Sequence, residues 1–273
     1  FALPFTAYSL CEFIGLPVQD WEKFHGWVRD VHQADPTPEG GRRVAEATSA
    51  LQTYTEAVVA AKRDRQDAAA SDDVLTRLAT TDRTGGLGDD DLVAMGRSLL
   101  VGGYESTKSL ISTGMLGLLT HPEQMESLRA DPGGIASAVD EFLRYEPPFP
   151  RLQERYALQD VEIGGVTIPR GQPVVIDLTA ANRDPDRFRR PSAFDVADAD
   201  RGHVSFGPGI HHCLGATLAK AETEVAVEVL LQRLPEITLD CDPATLHWPD
   251  GIVSGPSTLP VRFAPSAPVA ARR

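Results

Sequence analysis

Cysteine is scarce in this chain: three in 273 residues, at Cys11, Cys213 and Cys241. An odd, widely spaced set argues against a disulfide framework and for a reducing compartment, so a cytoplasmic location is expected. Long apolar runs are missing as well. Nowhere do eighteen apolar residues follow one another, so no stretch reads as a membrane span. No basic segment leading into an apolar core stands at the start, so no signal peptide is expected in this stretch. The first residue is Phe1 rather than methionine, which reads as a start inside a longer protein. Basic charge is also short, with 26 Lys and Arg against 39 Asp and Glu and a formal net charge of −13. A nucleic-acid-binding role therefore has no electrostatic footprint. Metal-binding pairs are absent too. His203, His211, His212 and Cys213 lack the paired spacing of a closed zinc site.

What is present centres on residues 206–215, Phe-Gly-Pro-Gly-Ile-His-His-Cys-Leu-Gly, followed by an Ala- and Leu-rich segment with helical rhythm over about 213–233. This is a glycine-rich loop that presents Cys213 at the first turn of a helix. Backbone N–H groups and the positive helix end at such a place favour a thiolate over a thiol. Gly207, Gly209 and Gly215 let something flat and bulky approach the main chain. His211 can donate a hydrogen bond to an acidic group on that ligand. A thiolate held in this way is a known axial ligand of haem iron. A buried structural cysteine beside a glycine turn is the plainer alternative, and Cys11 and Cys241 read that way, as small apolar core residues.

Upstream, the pattern is mostly helical. Residues 1–16 are mostly apolar and end at Gly15-Leu16-Pro17. Apolar spacings of three and four predict helices over 18–33, 41–65 and 72–80. The turn Thr84-Gly85-Gly86-Leu87-Gly88 follows. A single helix is predicted over 89–119, with Asp89, Asp90 and Asp91 in its first turn as the dipole prefers. Its apolar surface on most sides predicts a core position. Its middle, Gly102-Gly103-Tyr104-Glu105-Ser106-Thr107, contradicts helical propensity, since two adjacent glycines cost roughly 2 kcal/mol against alanine. The residues read as a local opening where a small ligand and water can sit, or else as a kink for tight packing. The helix ends before His121-Pro122. Another helix, running to Pro147-Pro148, carries Glu141 and Arg144 three apart on one face. Beyond it the period becomes two: Val161, Ile163, Val166 and Ile168 flank Gly164-Gly165 as a hairpin. Residues 181–205 are irregular, 236–263 read as short strands and turns, and the Ala- and Pro-rich tail 264–273 is expected to be disordered.

Phe206, Gly207, Gly209, His211, Cys213 and Gly215, continued by Leu218, Ala219 and Glu222, resemble the cysteine-ligand loop of the cytochrome P450 family. Gly103 to Ser106 resembles the family's oxygen-binding motif, with serine where threonine is usual. Glu141 and Arg144 stand where the family has its Glu-x-x-Arg brace beneath the haem. The expected fold is mainly α with small β-sheets, the cytochrome P450 fold in its C-terminal two-thirds, as one haem-thiolate domain over 1–263. The resemblance implies haem b bound through Cys213 as axial iron ligand, with Phe206, Gly207 and Gly103 against the cofactor. It also implies His211 and Arg155 at the cofactor's edge, the arginine on a propionate. Glu105 and Ser106 would relay protons, and Phe149, Leu152 and Val253 would line the substrate pocket. Asp198 stands where the family usually has an arginine completing the Glu-x-x-Arg network, leaving Arg201 or no residue for that part. The implied partners are a small organic substrate, O2 and a ferredoxin-type electron donor, which Arg187, Arg189, Arg190 and Lys220 would attract. The implied activity is monooxygenation. A non-catalytic partner protein of the same family and a peroxide-driven variant remain alternatives.

Overall fold

The computed structural model describes residues 1–33, 35–64, 72–80, 87–198 and 202–264. The turn at 84–86, Arg201 and the tail beyond Ala264 lie outside the described residues. Ten α-helices and three two-stranded sheets make up the regular structure among the described residues.

The N-terminal half is helical: α1 (Ala2–Ile14), α2 (Trp21–His32), α3 (Pro38–Arg63) and α4 (Val74–Thr80). Thr37 starts α3 by accepting a hydrogen bond from Gly40 N at 3.0 Å, with Pro38 at the first helical position, where its missing N–H costs nothing. The single helix predicted over 89–119 is two helices, α5 (Asp89–Gly102) and α6 (Glu105–Thr120). The break falls at Gly103-Tyr104, where local propensity is poorest. A β-carbon on Gly103 would lie 2.4 Å from Leu99 O and 2.6 Å from a Leu10 methyl, so only glycine fits this bend.

The two halves of the broken helix serve two cores. One joins Leu10, Ile14, Phe24, Leu51, Leu75, Leu100 and Tyr104, from α1 to α5 and the bend. The other gathers α6 residues Leu110, Ile111, Met115 and Leu118 with Ala138, Val139 and Phe142 of α8 (Ile135–Tyr145) and Ala226 and Val227 of α10 (Ala216–Arg233). Each of these larger side chains, fully buried, contributes about 1.5–3 kcal/mol of transfer free energy. Close approach tightens the second core: a β-carbon on Gly114 of α6 would lie 2.3 Å from the Phe142 ring. Between α6 and α8, α7 (Pro122–Ala130) begins at the proline that ended α6.

The three sheets are small and antiparallel. β1 (Arg155–Tyr156) pairs with β4 (Pro173–Val174), and β5 (Thr238–Leu239) with β6 (Val261–Arg262). β2 (Val161–Ile163) and β3 (Val166–Ile168) form the predicted hairpin, with Gly164 at φ 57° and Gly165 at φ 78°, the left-handed pair such a turn requires. The short helix α9 (Leu178–Ala181) opens the irregular segment that leads to the cysteine loop. No described helix is long and apolar enough to cross a membrane.

One buried group predicts a pH response. His32, at the end of α2, is 6% exposed, and its Nδ1 has no hydrogen-bond partner. Burial, reinforced by Lys108 and opposed by Glu105, pushes its pKa below the ordinary 6.5. The unfolded chain therefore takes up a proton at a pH where the folded chain refuses it, so stability falls as pH drops through 6.5 toward the lowered value. In His32→Leu this share of the acid loss is removed, and the slope of melting temperature against pH below 6.5 becomes shallower. An unchanged slope contradicts the assignment.

Candidate functional site

The cysteine loop is built before its helix begins. Cys213 precedes α10 by three residues, rather than occupying the first turn as its spacing suggests, and Gly215 takes the cap position. Cys213 N donates to Phe206 O at 2.8 Å, closing the loop on itself. Gly207 (φ 69°) and Gly209 (φ 71°) make the left-handed bends that allow this closure. The strand of chain leading in is pinned to α8 and to the segment after α9. Ser205 Oγ donates to Leu143 O at 2.6 Å, and Asn182 holds Val204 N at 2.9 Å.

Beneath this loop sits the Glu141–Arg144 pair, both residues 4% exposed. Arg144 makes a bidentate contact with Glu141 at 2.7 and 2.8 Å. Its remaining donors reach the carbonyls of Asn182 (3.1 Å), Pro191 (2.9 Å) and Ala193 (2.6 Å). Asp195 N donates to Glu141 at 2.8 Å. The network thus closes on backbone groups of the irregular segment.

Between the loop and the broken helix lies a cavity of about 1030 Å³. One wall carries Phe206, Gly207, His211 and Cys213, and the facing wall carries Gly102, Gly103, Ser106 and Thr107. Phe149, Leu152 and Arg155 also border it, while Val253 and Glu105 do not. Val253 belongs to a turn just outside it: its neighbours Ile252 N and Ser254 N bond to His32 O (3.2 Å) and to Pro148 O (2.8 Å), and Pro148 borders the cavity. Arg155 is exposed, with Nη1 on Gln153 O at 3.0 Å.

Glu105 and Ser106 point to different sides, as neighbours about 100° apart on a helix must. Ser106 Oγ donates back to Gly102 O at 3.0 Å, across the bend and beside the cavity. Glu105 is 5% exposed and faces α2, with His25 Nδ1 at 3.2 Å and Lys108 Nζ at 2.5 Å. His25 also lies 3.1 Å from the buried Tyr104 hydroxyl. Burial pushes the Glu105 carboxyl up, but His25 and Lys108 outweigh it and leave the pKa at about 2. Sequence reasoning missed His25, because a residue 80 positions away leaves no local signal. Thr107, next to Ser106 and also on the cavity, carries an equally plain hydroxyl that the motif alone did not single out.

The cavity's donor set fits haem. Apolar walls suit a flat macrocycle, Cys213 is the cavity's one thiol and would hold its iron, and Arg155 and His211 supply hydrogen-bond donors suited to carboxylates at the rim. A cysteine loop facing a bent helix across an apolar slot is the architecture of a haem-thiolate protein. The family model for Cytochrome P450 matches residues 135–263. Cytochrome P450 monooxygenase PikC of Streptomyces venezuelae is 37% identical over 264 residues, covering 96% of this chain and 61% of that protein. Cytochrome P450 105C1 of a Streptomyces species is 39% identical over 265 residues, covering 96% and 67%. The solved structure of the bacillaene polyketide synthase cytochrome P450 PksS from Bacillus subtilis 168 superposes with a TM-score of 0.88 at 32% identity, covering 97% and 67%. This chain belongs to the cytochrome P450 family, whose cofactor is haem. It spans about three fifths of the length of curated relatives such as PikC.

Proposed function

We propose that the protein is a haem-thiolate monooxygenase that inserts one oxygen atom from O2 into a small, largely apolar organic molecule. Electrons would come from a ferredoxin-type donor in the cytoplasm. The observation that carries this reading is the cavity that sets Cys213 and Ser106 on facing walls. Haem held by a cysteine thiolate supplies the O2 chemistry, the sulfur pushing electron density that favours O–O cleavage. Cys213 would hold the iron, with Arg155 and His211 on the propionates and Phe206, Gly207 and Gly103 against the ring. Phe149 and Leu152 exclude water from the substrate side. Ser106 Oγ holds a proton at the cavity wall and can exchange it with a water there, acting as a general acid. Glu105, on the α2 side of the bend, is held as a carboxylate by His25 and Lys108, and would take a proton from those partners and pass it toward Ser106. Of the four cations expected to attract a donor protein, Lys220 pairs with Asp140 and Arg190 with Asp195.

A peroxide-driven variant is the second reading. The observation favouring it is that Glu105 faces away from the cavity, and chemistry starting from peroxide needs no relay from that side. Ser106→Ala separates the two. Under O2 and an electron donor, product formed per electron falls by up to about 10²-fold, the low end of what a positioned proton donor contributes. Haem content stays intact, and the lost electrons end as hydrogen peroxide. Turnover driven by added peroxide changes little. Equal product per electron in Ser106→Ala and the unsubstituted protein would sink the relay role.

A further inference from the structure

Behind the cysteine loop, Asp140 and His203 have no part in the function above, and Lys220 entered it only as a surface cation. Asp140 of α8 receives Lys220 Nζ of α10 at 2.6 Å and lies 3.3 Å from His203 Nε2, both on the same oxygen. The Asp140 and His203 side chains are 6% and 7% exposed, while Lys220 reaches solvent at 31%. His203 Nδ1 accepts from Ser205 N at 3.3 Å, which makes Nε2 the protonated nitrogen and the donor to Asp140. The imidazole is therefore fixed at both ends, in one tautomer and one orientation. The His203 and Phe206 ring centres lie 5.9 Å apart, with the planes tilted by 56°. Phe206 lines the cavity and its carbonyl receives the Cys213 N–H.

We propose that His203 is a positioning residue for the cysteine loop, held by the Asp140–Lys220 ion pair. The physical path is short. Lys220 fixes Asp140, Asp140 orients the His203 ring, and the ring, by accepting Ser205 N–H and packing beside Phe206, holds the backbone that presents the Phe206 carbonyl to Cys213. Burial disfavours a proton on the His203 ring, which keeps it neutral between its two partners. A carboxylate that orients a metal-ligating histidine is an arrangement whose loss commonly weakens metal holding by 10- to 100-fold. Here the histidine acts through an aromatic residue and a backbone carbonyl instead of ligating. The Glu141–Arg144 brace next door supports the irregular segment, whereas this triad addresses the loop itself. Nothing in the sequence announces it: the three residues are 63 and 80 positions apart.

The inference rests on Cys213 as the iron ligand only in its haem-dependent part, so the test has two arms. In the haem-free protein, amide hydrogen exchange is followed at Cys213 and Gly207. In the haem-loaded protein, the rate of haem loss is followed. His203→Ala and Lys220→Met should each speed exchange at Cys213 by about fivefold or more, as losing one net hydrogen bond would. Each should speed haem loss by about tenfold. Lys220→Arg should restore most of both effects, and Glu228→Gln on the exposed side of α10 should change neither. Lys220 reaches solvent, so Lys220→Met keeps the test decisive should His203→Ala fail to fold. If Lys220→Met or His203→Ala lowers the melting temperature while exchange at Cys213 stays at the unsubstituted rate, the triad is a mere brace and the proposal fails. If the loaded protein shows no thiolate ligation at all, the functional reading fails, and the exchange arm still decides the role of His203.

Discussion

Arg144→Ala should cost about 3–5 kcal/mol of folding stability, the range for removing one partner of a buried ion pair. Domains hold only about 5–15 kcal/mol in total, so this is close to unfolding the protein. The substitution leaves the Glu141 carboxylate buried and uncompensated, and strips the donors from the carbonyls of Asn182, Pro191 and Ala193. The guanidinium also lies 5.4 Å from the Phe188 ring, a contact that goes with it. Arg144→Lys should recover little, because an ammonium cannot span two carboxylate oxygens and three carbonyls in one plane. Replacing both Glu141 and Arg144 by leucine should cost less than Arg144→Ala alone, since no lone charge is then buried. Urea unfolding reads all three. A loss below about 1 kcal/mol for Arg144→Ala would place the pair among exposed ion pairs and contradict the geometry.

The same pair shows where sequence reading succeeds and where it stops. Glu141 and Arg144 are three apart on a helix, so their pairing is local and legible, as is the Gly164-Gly165 hairpin turn. What Arg144 does beyond Glu141 is not local. Its carbonyl partners sit 38 to 49 residues downstream in a segment without periodicity, where spacing carries no information. The cysteine loop was legible because its glycines and Cys213 act through adjacent backbone. In sequence, 89–119 reads as one helix because both halves are apolar. Only packing, with Leu10 and Leu99 crowding Gly103, turns a weak point into a break. Glu105 and Ser106 are neighbours in a motif, yet a helix turns neighbours to different faces, and α2 decides what Glu105 meets. Val253 rests on position alone in the sequence, and its turn reaches the cavity only through the bond from Ser254 N to Pro148 O.

Cys213 carries the central claim, and the other two cysteines make the test clean. Cys11 is buried in α1, where burial and then nearby Asp20 and Glu12 push its thiol up to about 11, far from a thiolate. Cys241 lies after β5 and does not border the cavity, whereas Cys213 is exposed and lines it. The most direct measurement is the absorption spectrum of the reduced, CO-bound protein. The unsubstituted protein should show the red-shifted Soret band of a thiolate-ligated haem. Cys213→Ala should abolish that band, and Cys11→Ala and Cys241→Ala should keep it. A band that survives Cys213→Ala, or disappears with Cys241→Ala, would contradict the assignment of the site.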